Sequence, residues 1–221
     1  MYNIIIIFSM HKEIEKCNSN ELYNIINKIN PDVIFEEFDI LRNEDEFFRN
    51  GYYKYQENIS VETKAIMQYL ENNSVAYVPV DTYELENPPE ELYLKISNFN
   101  EEYGNIVKLN FILSFKHGFP YINSNECSEL IEKINKMEEN IVYQINDDNL
   151  IKTFNDWKLI TNNRDYEMIN NIYEYSKNNI FNKAVFVVGA DHKISILNKI
   201  NEYRNKEKLK LNWFDYNGNI I

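Results

Sequence analysis

Five glycines and five prolines in 221 residues are too few for a linker-rich, low-complexity or collagen-like chain. Two cysteines, Cys17 and Cys127, cannot build a disulfide framework or a thiolate metal site, and read as free thiols in a reducing compartment. Basic charge is short as well: 23 Lys and Arg stand against 35 Asp and Glu, a formal net charge of -12. Most of such a surface repels a phosphate backbone, so nucleic acid is not an expected partner. The basic cluster RNKEKLK at residues 204–210 reads as the solvated end of a helix. No apolar run approaches the ~20 residues that span a bilayer, and IIIIF at residues 4–8 is too short for a signal-peptide core. The expectation is a cytoplasmic chain with no membrane partner. Asn, Ile, Lys and Tyr recur throughout but without a fixed period, which excludes a repeat architecture.

What is present is enough for a core: hydrophobic residues make up 44% and aromatics 14%, with 17 Tyr and 13 Phe. Three mostly apolar runs read as strands covered on both faces, YNIIIIF at 2–8, DVIFEEF at 32–38 and KAVFVV at 183–188, because a strand buried on both sides loses the polar alternation. A fourth, VAYVPV at 75–80, is expected to end at Pro79. Helical spacing at residues 20–29 and 60–71 lies between them, giving a βαβαβ unit. Residues 92–115 and 128–143 read as long helices separated by the turn-like HGFPYINSN, and a new helix is expected over 163–178. Residues 194–205 form the helix after the late strand, and KLNWF at 210–214 is an expected edge strand. The fold class is therefore α/β: one domain over residues 1–221, a mainly parallel central sheet flanked by helices, with a helical insertion over roughly residues 89–157.

In an open parallel sheet, ligands bind beyond the carboxyl ends of the strands, where loops converge and helix N-termini point at the ligand. Four strand ends carry polar groups there: Ser9-Met10-His11, Glu36-Glu37-Phe38-Asp39, Asp81, and Gly189-Ala190-Asp191-His192. Two of only three histidines thus come after apolar strands at nearly the same offset. A carboxylate in the second strand is costly to bury unless it is paired or metal-bound. Two histidines and a carboxylate could hold a divalent metal, or work without one, an imidazole acting as general base and a carboxylate fixing its tautomer. Blander explanations compete. One of two adjacent glutamates must face away, which demotes Glu36. Asp39 and Asp81 could simply cap the structures next in the chain, Asp165 could be an acid favoured by a helix start, and His117 lies in a turn beside Gly118 and Pro120, as a structural or surface residue would.

Four blocks, SMHKEIEKCNS, PDVIFEEFD, NRDYEMINNIYEY and VVGADHKISIL, resemble in order those of the Tiki/TraB/ChaN/erythromycin-esterase-like superfamily: G-T-x-H, P-D-x-x-x-x-E, E-R-[ND]-x-x-M and G-x-x-H. The resemblance covers the α/β part of the chain and leaves out the helical insertion. It assigns the site to His11, Glu37, Arg164, Asp165 and His192, with Met168 and Gly189 in matching places, and brings Asp81 to the pocket rim. Phe8 stands where the family has glycine, and Asn163 where it has glutamate. A bulky Phe8 is expected to narrow the approach of a ligand to the backbone.

The resemblance implies two alternative functions. In the first, the protein is a hydrolase acting on a small-molecule or peptide substrate: His11, Glu37 and His192 bind a divalent metal or activate water directly, Arg164 stabilises oxyanion charge, and Asp165 orients a histidine or Arg164. In the second, it is a carrier of haem or another small ligand with a degenerate pocket, where the many tyrosines could ligate haem iron. Neither the substrate nor the oligomeric state is legible in the residues.

Overall fold

The computed structural model describes residues 2–39, 59–82 and 89–221. Its sheet has five strands, all parallel: β1 (Tyr2–Ser9), β2 (Val33–Asp39), β3 (Ala76–Asp81), β4 (Lys183–Gly189) and β5 (Leu211–Phe214), in the spatial order β3-β2-β4-β1-β5. Eight α-helices accompany it among the described residues: α1 (Ser19–Ile29), α2 (Val61–Leu70), α3 (Glu90–Phe99), α4 (Glu101–His117), α5 (Phe119–Ile122), α6 (Asn125–Ile145), α7 (Asp148–Asn178) and α8 (Lys193–Lys206). A 3-10 turn, Ala190–His192, joins β4 to α8. None of the described helices is long and apolar enough to cross a membrane.

The central strands are apolar because both of their faces are covered. Ile4, Ile6 and Ile7 of β1 and Ala184 to Val188 of β4 are at most 1% exposed. Side chains of one strand alternate between two helical layers, and the adjacent glutamates of β2 display the split. Glu36 accepts a hydrogen bond from Thr63 of α2, while Glu37 accepts one from Arg164 of α7.

The late βα unit does not add at the rim. β4 inserts between β1 and β2, so the first two strands of the chain are not neighbours. Its register sets Gly189 beside Ser9 and Val187 beside Glu36. The carboxyl ends of β1, β4 and β2 therefore finish level and side by side, and their three loops share one edge. β5 lies at one margin of the sheet, in parallel register with residues 2–5 of β1, and its outer side takes the chain end through a Phe214–Ile220 bridge and the Ile221 N–H on Trp213 C=O. Beyond its end, Asn123 takes over as a surrogate strand: its side chain accepts from Phe8 N–H and donates to Phe8 C=O, each at 2.9 Å.

The helix expected over 92–115 is two, α3 and α4, divided at Asn100, and the turn-like stretch after it contains α5. Two further boundaries differ from the expectations. β3 runs through Pro79 to Asp81; it is the other edge strand, where a missing N–H leaves no ladder bond unmade. The helix expected over 163–178 is the second half of α7, which starts at Asp148, capped by the Asp147 side chain on the N–H groups of Asn149 and Leu150. Asn162 and Asn163 resemble a cap region, but without Gly or Pro nothing stops the helix there. The helical block thus continues unbroken to Asn178, past residue 157. Part of it packs on itself, Leu92, Ile96, Tyr103, Ile141, Val142, Leu150 and Phe154 forming a small core separate from that of the sheet.

Candidate functional site

Glu37 is the hub. It leaves β2 on the α7 face with its side chain 6% exposed. Oε1 accepts from the Arg164 guanidinium at 2.9 Å and lies 3.1 Å from His192 Nε2; Oε2 accepts the Gly189 N–H at 2.7 Å. Burial alone would raise its carboxyl, but the His192 charge and hydrogen bond, helped by His11 and the Gly189 N–H, hold it well below the usual carboxylate range.

His192 is locked at both nitrogens, Nε2 by Glu37 and Nδ1 by Asp165. Burial pushes its pKa down, yet the two carboxylates outweigh this and raise it well above 6.5. Arg164 completes the buried network: its Nε donates to Asp81 Oδ1 at 3.2 Å and an NH2 donates to Asp81 Oδ2 at 2.6 Å. This fork-on-fork geometry holds a guanidinium firmly. One charged residue therefore ties the end of β3 to the end of β2. Because Arg164 and Asp165 lie inside α7, Asp165 owes nothing to a helix start; adjacent helical positions let the pair serve Asp81 and Glu37 on one side and His192 on the other.

His11 approaches from the opposite side and is held differently. Its side chain is 58% exposed, with Nδ1 3.5 Å from Glu62 Oε1. Its backbone C=O accepts the Val61 N–H at 3.3 Å. The first turn of α2, capped by Ser60 on the Thr63 N–H, thus grips the His11 loop through both backbone and side chain. Glu62, in hydrogen bond and charge, raises the His11 pKa to about 9 against the opposing effect of burial.

Gly189 explains how close the two halves come. A Cβ there would stand 2.9 Å from His11 Nε2 and 3.1 Å from Glu37 Oε2, so the absence of a side chain lets both meet over β4. Gly118 plays a related part behind the loop. Its φ of 61° and a Lys16 carbonyl oxygen 2.1 Å from where a Cβ would be allow the α4–α5 corner to press against the segment after His11.

The five residues expected at the site, His11, Glu37, Arg164, Asp165 and His192, are thus linked through Glu37 and Gly189, with Asp81 joined by Arg164. Glu36 faces α2, bonded to Thr63 and Tyr77, and burial pushes its carboxyl up to about 8. His117 is exposed at the end of α4, where a cation suits the helix dipole. The side chain of Asp39 lies outside the described residues. Phe8 does not crowd the site: strand alternation turns it away from Ser9, and it lines a separate cavity of about 220 Å³ with Ile6, Asn123 and Lys193. Sequence reasoning missed Glu62 and the role of Ser9, whose hydroxyl donates to Glu62. An acid in the first turn of a helix is common for dipole reasons alone, so only the contact itself marks it.

A resident divalent ion does not fit these donors. The Glu37 oxygen nearest His192 already carries the Arg164 guanidinium, and the other accepts Gly189 N–H. Among the described residues no group of three or more His, Cys, Asp or Glu side chains is arranged to hold a metal. Arg164 is also too engaged with Asp81 and Glu37 to be free for oxyanion binding through those N–H groups. No family model matches the chain, and no curated protein or solved structure matches it either.

Proposed function

We propose that the protein is a metal-independent hydrolase of the Tiki/TraB/erythromycin-esterase-like type, in which His11 moves the proton. The observation that supports this most is the contrast in exposure: the His11 side chain is 58% exposed, whereas those of Glu37, His192, Asp165, Arg164 and Asp81 are at most 12% exposed, and His11 Nε2 lies over Gly189 at the shared edge. As an imidazolium, its form below about pH 9, it is a general acid for a leaving group; once neutral it accepts a proton from water. Glu37, His192, Asp165, Arg164 and Asp81 form a buried charged frame that fixes the field against which His11 works. The substrate is a small ester- or amide-bearing molecule that reaches this edge.

Turnover of p-nitrophenyl acetate and a peptide anilide by the wild type and by His11→Gln tests the reading. Hydrolysis by the wild type above background, falling about 100-fold or more in the variant, is expected. Absence of hydrolysis of both probes, or a His11→Gln protein as active as the wild type, would sink it. A Soret band on haem titration of a protein that hydrolyses neither probe would favour a carrier instead.

A further inference from the structure

We infer that Glu62 is the positioning residue for His11, doing from α2 what Asp165 does for His192 from α7. The inference deepens the hydrolase reading and rests on it only where activity is measured. Each histidine has its Nδ1 toward a helix-borne acid and its Nε2 toward the Glu37 side: Asp165 and Glu37 Oε1 for His192, Glu62 and the Gly189–Glu37 Oε2 corner for His11. An Nδ1–H given to a carboxylate leaves Nε2 as the working nitrogen.

A helix-dipole explanation of Glu62 is insufficient. Acids favoured by the dipole sit in solvent, whereas Glu62 is 3% exposed. Its Oε2 is buried with no hydrogen-bond partner among the described residues, an arrangement that costs stability unless a cation compensates it. The cation in reach is His11. Ser9, at the end of β1, fixes the other oxygen: its hydroxyl contacts both Glu62 Oε1 and Val188 C=O, the latter at 3.3 Å. Glu62 is thus held by the strand that delivers His11, and the helix that carries Glu62 holds the His11 backbone. The 3.5 Å separation of Nδ1 and Oε1 is long for a hydrogen bond, as is common before a substrate closes a site.

The test is a long-range proton–nitrogen spectrum of ¹⁵N-histidine-labelled protein at about pH 10, where His11 is neutral and its tautomer can be read, with His11 assigned by its loss in His11→Gln. A proton on His11 Nδ1 is expected in the wild type. Glu62→Met, which keeps the side-chain length and leaves Ser9 its Val188 acceptor, should shift that nitrogen toward the proton-free form and lower turnover of p-nitrophenyl acetate ten- to a hundredfold, with KM little changed. A proton-free Nδ1 in the wild type, or an unchanged spectrum in Glu62→Met, would overturn the inference. If the variant does not fold, the wild-type spectrum still decides. A wild type that hydrolyses nothing would defeat the hydrolase reading and leave the spectrum to judge Glu62 by itself.

Discussion

His192 and His11 reach Glu37 from opposite sides with comparable partners, yet one is 9% exposed in its side chain and the other 58%. His192 belongs to a charged network built into the interior, in which Arg164, Asp81, Glu37 and Asp165 compensate one another. His11 hangs on a loop, fixed among the described residues by one backbone bond and one acid. The same side chain can therefore serve as part of the frame or as the moving part, and what separates the two roles is how many of its nitrogens are already committed.

Arg164→Met attacks the frame hardest. It leaves Asp81 buried without its cation and Glu37 dependent on His192, and removing one partner of a buried pair costs about 3–5 kcal/mol. Urea unfolding should show that loss; a loss below about 1 kcal/mol would mean that water already reaches these carboxylates and that the frame is less dry than its exposure implies. His192→Ala should come next, at about 1.5–3 kcal/mol, the worth of hydrogen bonds to charged groups, since both carboxylates lose a donor. A stability equal to wild type would erase the distinction between the two histidines.

Titration sharpens the same contrast. A histidine with a raised folded pKa contributes stability that is complete below the unfolded value of 6.5 and is lost as pH rises through the folded value, near 9 for His11 and well above 6.5 for His192. Glu36 acts in the same direction, because a carboxyl raised from 4.5 to about 8 favours the fold while protonated. Glu37, held low, acts oppositely and loses its contribution on the acid side of 4.5. Stability measured by urea titration should thus be greatest near pH 4.5, decline above it through Glu36, and decline more steeply from 6.5 toward about 9 as the two histidines add their parts. In His11→Gln the His11 part of that decline, between 6.5 and about 9, should vanish, leaving the parts of Glu36 and His192.

The frame is more legible in the sequence than its attachments. Apolar runs ending in Ser-Met-His, Glu-Glu and Gly-Ala-Asp-His mark three strand ends, and burial of both strand faces is implied by composition alone. The insertion of β4 between β1 and β2 is not legible, because strand order depends on packing across the sheet and leaves no local trace. The motif pair Arg164-Asp165 stands out, but its setting misleads: two asparagines imitate a cap, whereas one helix runs past them, buried at Leu150 and Phe154 in the small core and at Met168 in that of the sheet. Glu62 escapes notice because its local pattern is that of any first-turn acid. Phe8 draws attention by its size, whereas strand parity decides where that bulk goes.

The smallest expected change in stability is the most informative. His11→Gln removes a ring whose side chain is 58% exposed and leaves buried Glu62 a neutral donor in place of its cation, at a cost of about 1 kcal/mol, the difference between a charge-assisted and a neutral hydrogen bond. Gln retains an N–H donor for Glu62, and the Val61 N–H to His11 C=O bond does not depend on the side chain. The midpoint of thermal unfolding should therefore fall by only about 2–4 °C while hydrolysis collapses. A large stability loss would place His11 in the frame beside His192, and the asymmetry between the two histidines would then be one of surface area without a division of labour.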